Sequence, residues 1–182
     1  MLPDIPMSDN FEEPLFEFLK KYALTLDQHI ELKNFCDKQE IIYMCTPFSL
    51  KAAKEINNLV PLFKIGSGEM TDIPSLKAIA KFKKPMILST GMSCFEEIDR
   101  TYKTLLNEDI ELALLNCVSE YPPVYEDLNL GVIKIMNERY KKAVIGHSDH
   151  TPDLFTSFAA VSLGAKIIEK HVILDKKQPG PD

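Results

Sequence analysis

Ala143-Val-Ile-Gly-His-Ser-Asp-His-Thr151 is a run of three apolar residues, one glycine and five polar residues. It reads as a buried strand that ends in chemistry-bearing side chains. A second such run, Lys166-Ile-Ile-Glu-Lys-His171, ends twenty-one residues past His150. Between them Asp153 to Leu163 is apolar and long enough for one helix. A strand–helix–strand unit sets its strands parallel and adjacent, with both C-terminal ends on one face. His150 and His171 are therefore expected together at one rim. Two neutral imidazoles placed this way suit a borderline transition-metal ion such as Mn, Co or Zn. A lone His at a strand end is more often a hydrogen-bonded structural residue, and paired His also build structural networks. Ser148, Asp149, Glu169 and Lys170 on the same rim weigh towards the metal.

Upstream, the same cadence repeats. Short apolar runs at Ile41–Cys45, Leu62–Ile65, Pro85–Leu88, Leu112–Val118, Ala143–Ile145 and Ala165–Ile168 predict six strands. Their apolar continuity fits strands buried on both faces of a parallel sheet. The intervening segments carry helix signals. Thr25-Leu-Asp-Gln28 has capping-box spacing and opens a helix through about Lys38, following a short one between Phe11 and Tyr22. Ser49 caps the next, and Asp72 with Pro74 starts another. Ser93-Cys-Phe-Glu96 reads as a second capping box, and Leu130, Ile133, Met136 and Tyr140 share a helical face. Six β/α steps of this length mean a (β/α) barrel or a doubly wound sheet.

Composition narrows the class. A chain of 182 residues predicts one domain, with residues 1–24 as a lead-in. The net charge of −6 and scattered basic residues speak against a nucleic-acid partner. No apolar run approaches the ~20 residues of a membrane helix. The acidic start, Met1 to Glu13, is no signal peptide. Cys36, Cys45, Cys94 and Cys117 lack metal-ligand spacing and read as small hydrophobes in a reducing cytoplasm.

Every expected strand ends in polar residues that a core does not need: Thr46, Lys64 with Ser67 and Glu69, Ser89 with Thr90, Asn116 through Tyr121, and the two histidine-bearing ends. Active-site residues of a (β/α) barrel gather on that rim, whereas an open sheet concentrates its ligands at one crevice. A rim polar in all six places favours the barrel. Lys64, Ser67, Ser89 and Ser148, with Gly66, Gly68 and Gly91 allowing close backbone approach, make a cradle for a phosphate. Lys64 can equally be read as a Schiff-base lysine. Glu69 and Glu120 can serve as acid, base or sugar ligand.

Seven stretches stand in order: Lys64-Ile-Gly-Ser-Gly-Glu69, Ile87-Leu-Ser-Thr-Gly-Met92, Asn116-Cys-Val-Ser-Glu-Tyr-Pro122, Glu126-Asp-Leu-Asn-Leu130, Gly146-His-Ser-Asp-His-Thr151, Gly164-Ala-Lys-Ile-Ile-Glu-Lys-His171 and Gly180-Pro-Asp182. Together they resemble the sialic acid synthase family, the phosphoenolpyruvate-dependent N-acetylneuraminate synthases and their bacterial relatives. The likeness runs from about residue 25 to the C-terminus. It implies metal ligands at His150 and His171, with Mn expected and Mg or Co as alternatives. It implies phosphoenolpyruvate ligands at Thr46, Lys64, Ser67, Ser89 and Ser148, and an amino-sugar side at Glu69, Tyr121 and Asp182. His147 and Asn116 fall at variable positions, and His147 reads as structural.

The implied reaction joins phosphoenolpyruvate to an open-chain N-acetylated hexosamine, releasing phosphate by carbon–oxygen cleavage. The implied setting is a cytoplasmic homodimer in the full-length protein. Two strands that open the family barrel, and a C-terminal antifreeze-like domain, have no counterpart here. The resemblance therefore makes the chain an incomplete (β/α)8 TIM barrel, its third to eighth strands, weakly active or inactive alone. A Schiff-base aldolase on a similar barrel and a non-catalytic remnant of a synthase are the competing expectations.

Overall fold

The structure, a computed structural model, describes residues 15–175. β1 (Phe63–Ile65), β2 (Met86–Ser89), β3 (Leu112–Cys117), β4 (Ala143–Asp149) and β5 (Ile167–Lys170) form one sheet in that order. All neighbouring pairs are parallel. A doubly wound sheet reverses its strand order at a switch point, and this one does not. Sequential right-handed crossovers place the connecting helices on one face.

The sheet curls strongly. In a flat sheet the first and fifth strands lie ~19 Å apart. Yet Lys64 Nζ on β1 stands 3.4 Å from Glu169 Oε2 on β5. No lysine and glutamate span the flat distance, so the strands bend round a shared concave face.

The expected first strand is corrected. Ile41–Cys45 has no regular structure and pairs with no strand, leaving five strands among the described residues instead of six. Apolar character alone does not make a strand, because ladder hydrogen bonds need a neighbour that accepts them. Ile41 and Ile42 are 60% and 69% exposed, so the run is not buried on both faces. Tyr43 and Cys45 do pack against the core, and the Tyr43 hydroxyl lies 2.6 Å from His29 Nδ1.

Strand periodicity separates two environments. Phe63, Ile65, Met86, Leu88, Leu112, Leu114 and Ile145 alternate onto the helix side and join the core. Lys64, Ser89 and Ser148 fall between them on the concave side. The described helices are α1 (Leu15–Tyr22), α2 (Leu26–Lys38), α3 (Leu50–Ile56), α4 (Ile73–Ala80), α5 (Phe95–Leu106), α6 (Val132–Arg139) and α7 (Phe155–Ser162). α2 buries no residue, and α3 to α7 form the helical layer on the sheet. Leu76, Ile79, Ile98, Leu105, Ile133 and Met136 supply its buried face. Each such side chain contributes roughly 1.5–3 kcal/mol relative to exposure.

Caps start these helices where the sequence signals them, with one shift. Thr25 and Gln28 form the reciprocal box, with Gln28 N–H donating to Thr25 Oγ1 at 3.3 Å and Thr25 N–H to Gln28 Oε1 at 2.8 Å. Ser49 accepts from Ala52 N–H at 3.1 Å, and Asp72 from Ser75 N–H at 3.2 Å. The box expected at Ser93 and Glu96 sits one residue on: Cys94 N–H donates to Glu97 Oε2 at 2.9 Å. Packing of Phe95 and Ile98 on the core sets that phase.

Outside the concave face, Arg139 of α6 binds Asp99 of α5 through two hydrogen bonds, 2.8 and 2.5 Å. Arg139 and the Tyr140 hydroxyl outweigh desolvation there and pull the Asp99 carboxyl down to about 2. No helix among the described residues is long and apolar enough to cross a membrane.

Candidate active site

Four side chains from four strands meet on the concave face. Lys64 Nζ donates to Ser89 Oγ at 2.8 Å and to the Ile65 carbonyl at 3.2 Å, and faces Glu169 Oε2 at 3.4 Å. Ser148 Oγ donates to the other carboxylate oxygen, Glu169 Oε1, at 2.7 Å. Lys64, Ser89 and Ser148 are all buried. The register explains the meeting: Ser148 pairs with Glu169 across β4 and β5, so both side chains point the same way. Glu169 was visible only as a rim neighbour in the sequence. No spacing rule revealed that its two oxygens would tie Lys64 to Ser148.

Ser67 and Gly91 form the next part. Ser67 Oγ lies 3.6 Å from Cys117 Sγ. A Cβ added at Gly91 would come within 2.4 Å of Ser119 Oγ and 2.8 Å of Ser67 Oγ. Glycine here lets three strand ends converge, and it draws Ser119 and Cys117 to the site. Gly66 is also crowded, against the Glu69 carboxylate, whereas a Cβ at Gly68 would meet open space.

The rings of His150 and His171 have centroids 5.0 Å apart. Tyr121 lies over both, at 4.2 Å from His150 and 5.7 Å from His171. His150 Nδ1 donates to the Val118 carbonyl at 2.8 Å. That bond commits Nδ1 as the donor and leaves Nε2 as the atom a neutral ring would offer to a metal. Ring spacing and tautomer both fit a single cation. Among the described residues no group of three or more His, Cys, Asp or Glu is placed to hold one, so other oxygen donors would complete the shell.

The remaining expected residues are placed as follows. Glu69 is half-buried at the end of a 3-10 turn, Ser67–Glu69. Thr46 is half-buried after the unpaired segment, and no hydrogen bond joins it to Lys64. Asp182 lies outside the described residues. His147 faces the helix side, fully buried, and donates from Nδ1 to the Asn116 carbonyl at 3.0 Å. Burial lowers its pKa below the ordinary value against the opposing pull of Asp149.

Comparison with known proteins adds the family. The model of the NeuB family matches residues 5–182. An N,N'-diacetyllegionaminic acid synthase of Campylobacter jejuni is 40% identical over 94% of this chain and 52% of its own length. An uncharacterised protein of Methanocaldococcus jannaschii is 43% identical over 92% of this chain and 50% of its own. The chain thus spans about half the length of the curated relatives it matches. Among solved structures, the N-acetylneuraminic acid (sialic acid) synthetase of Leptospira borgpetersenii, in complex with citrate, superposes with a TM-score of 0.85. It shares 31% identity, over 87% of this chain and 56% of its own.

Proposed function

Because the chain belongs to the NeuB family, we propose that its concave face serves the condensation of phosphoenolpyruvate with an open-chain N-acetylated hexosamine, giving a nonulosonic acid and phosphate. N-acetylmannosamine and related diacetamido sugars are the substrate class. The observation that carries this reading is the convergence of Lys64, Ser89, Ser148 and Glu169 beside the His150–His171 pair.

Lys64, Ser67, Ser89 and Ser148 bind the phosphate and carboxylate of phosphoenolpyruvate, with Thr46 at their margin. A buried cation and preset hydroxyls stabilise charge that develops as phosphate leaves. The methylene carbon of phosphoenolpyruvate bonds to the sugar aldehyde carbon. That leaves an oxocarbenium-like carbon bearing the phosphate; water adds there, its proton passing to the former aldehyde oxygen, and the carbon–oxygen bond to phosphate breaks as the ketone forms. Glu69 and Tyr121 bind the sugar, and the family resemblance assigns Asp182 to the same role. His150 and His171 would hold a divalent cation, manganese first with magnesium or cobalt as alternatives, and it would supply Lewis-acid polarisation of the aldehyde.

β1 to β5 take the fourth to eighth places in the (β/α)8 barrel, with Ile41–Cys45 at the third. The whole protein is a cytoplasmic homodimer. The four free cysteines fit a reducing compartment. A Schiff-base aldolase fits less well. Its lysine must present a free amine pair, whereas Lys64 Nζ meets three acceptors with its three hydrogens.

The test is manganese titration of the full-length protein and of its His171→Ala variant. High-affinity uptake is expected in the first and lost in the second. Equal uptake by both would reject the metal assignment. Borohydride trapping with pyruvate should leave Lys64 unlabelled, and labelling there would establish the aldolase instead.

A further inference from the structure

Each proposed metal histidine follows a member of one ion pair. Asp149 precedes His150, and Lys170 precedes His171. Asp149 and Lys170 are register partners across β4 and β5, and Lys170 Nζ lies 3.2 Å from Asp149 Oδ2. Strand alternation puts this pair on the helix side of the sheet, behind the histidines. In front of it, on the concave side, stands the Ser148–Glu169 pair.

The pair sits in a dense polar cluster. Asp149 is fully buried. It accepts from Thr151 N–H at 2.9 Å, Thr151 Oγ1 at 2.7 Å, and Thr156 and Ser157 hydroxyls at 2.6 Å each. Lys170 Nζ also donates to the Thr151 carbonyl at 2.6 Å. Residues 149 and 151, on either side of His150, are thereby anchored to α7 and to β5 at once.

A buried charge pair of this kind contributes little net stability over an apolar pair, but it fixes geometry. We infer that Asp149 and Lys170 are positioning residues, a clamp that sets the spacing of the His150 and His171 rings for a shared cation. The inference rests on the two-histidine reading above. It extends that reading to residues that touch neither substrate nor metal. Partners of this sort typically alter metal affinity roughly 10–100-fold.

The test compares the protein with Lys170→Met, the double variant Asp149→Asn/Lys170→Met, and Arg139→Met. Lys170→Met leaves Asp149 buried and unpaired and risks misfolding, so the double variant, which removes both charges, carries the test. Three measurements are made on each: manganese affinity by calorimetric titration, the thermal midpoint, and the ring-nitrogen NMR signals of the metal-free histidines. The clamp predicts that the double variant stays folded and binds manganese roughly 10–100-fold more weakly. Its His150 and His171 signals should shift while those of His29 stay. Arg139→Met should lower the midpoint and leave affinity and ring signals unchanged. A folded double variant with unaltered affinity and ring signals overturns the clamp. If the unmodified protein takes up no manganese, the metal assignment fails instead. The ring signals then decide the clamp alone: displaced His150 and His171 signals support it, and unmoved ones reject it.

Discussion

Lys64 is 6% exposed, and a charge so buried persists only with partners. Here the partners are Ser89, Glu169 and a backbone carbonyl. An anionic substrate group is the natural additional ligand. Lys64→Ala in the active protein should raise KM for phosphoenolpyruvate far more than KM for the sugar, and steady-state kinetics with each substrate varied will show which. The reverse pattern would mean the two substrate sides are exchanged. His147 makes a different kind of prediction. Its folded pKa lies below the ordinary ~6.5, so the folded state binds fewer protons than the unfolded chain. Its stability contribution is complete above ~6.5 and is lost as pH falls through the folded value. Urea unfolding between pH 7.5 and 5 should show that loss, and His147→Phe should flatten it. These side chains differ in how far the sequence exposes them. Lys64, Ser89, Ser148 and the two histidines are legible because each ends a strand, and strand ends of a barrel meet. Glu169 and Ser119 are legible as rim residues in the same way, but their partners are not, nor is the place of Cys117, because these come from sheet curvature, which no local pattern encodes.

The β4–β5 ladder is the element on which the site depends, and Gly146 is its tightest point. A Cβ there would lie 2.5 Å from both the Ile167 carbonyl oxygen and Leu115 Cδ2. The carbonyl is backbone and cannot rotate away. Gly146→Ala should therefore force β5 off β4 and cost about 2 kcal/mol by overpacking. Denaturant midpoints would show it, together with faster amide exchange at Ile167 and Glu169. An unchanged midpoint would mean that the ladder yields more easily than its spacing suggests. Five of the strands were readable from continuous apolar runs between caps, since a doubly covered parallel strand must be apolar throughout. Ile41–Cys45 shows the same composition without the ladder. A strand is a relation between segments, and this one has no strand partner among the described residues. The Cys94 cap teaches a similar lesson: Glu96 and Glu97 both offer a box, and only the packing of Phe95 chooses between them.

At the scale of the molecule, the curled sheet presents two edges. Closing a barrel of this type takes eight strands. The described sheet has five, with β1 and β5 at its ends. Unpaired strand edges recruit other chains. The helical layer adds to this: Leu154, Phe155, Phe158 and Val161 on and beside α7 are 57%, 77%, 68% and 55% exposed. A contiguous apolar strip of that kind favours association over a solvated monomer. The candidate site, too, offers only two histidines for a cation among the described residues, and ligands that act in the transition state are missed chiefly as rate. A polypeptide of these 182 residues, expressed alone, should therefore form oligomers and release phosphate from phosphoenolpyruvate, with N-acetylmannosamine and manganese, orders of magnitude more slowly than a full-length relative. Light scattering and a discontinuous phosphate assay on the same sample test both halves. A monodisperse monomer turning over near the rate of the full-length enzyme would show that five strands, with whatever the flanking residues add, already make a competent site.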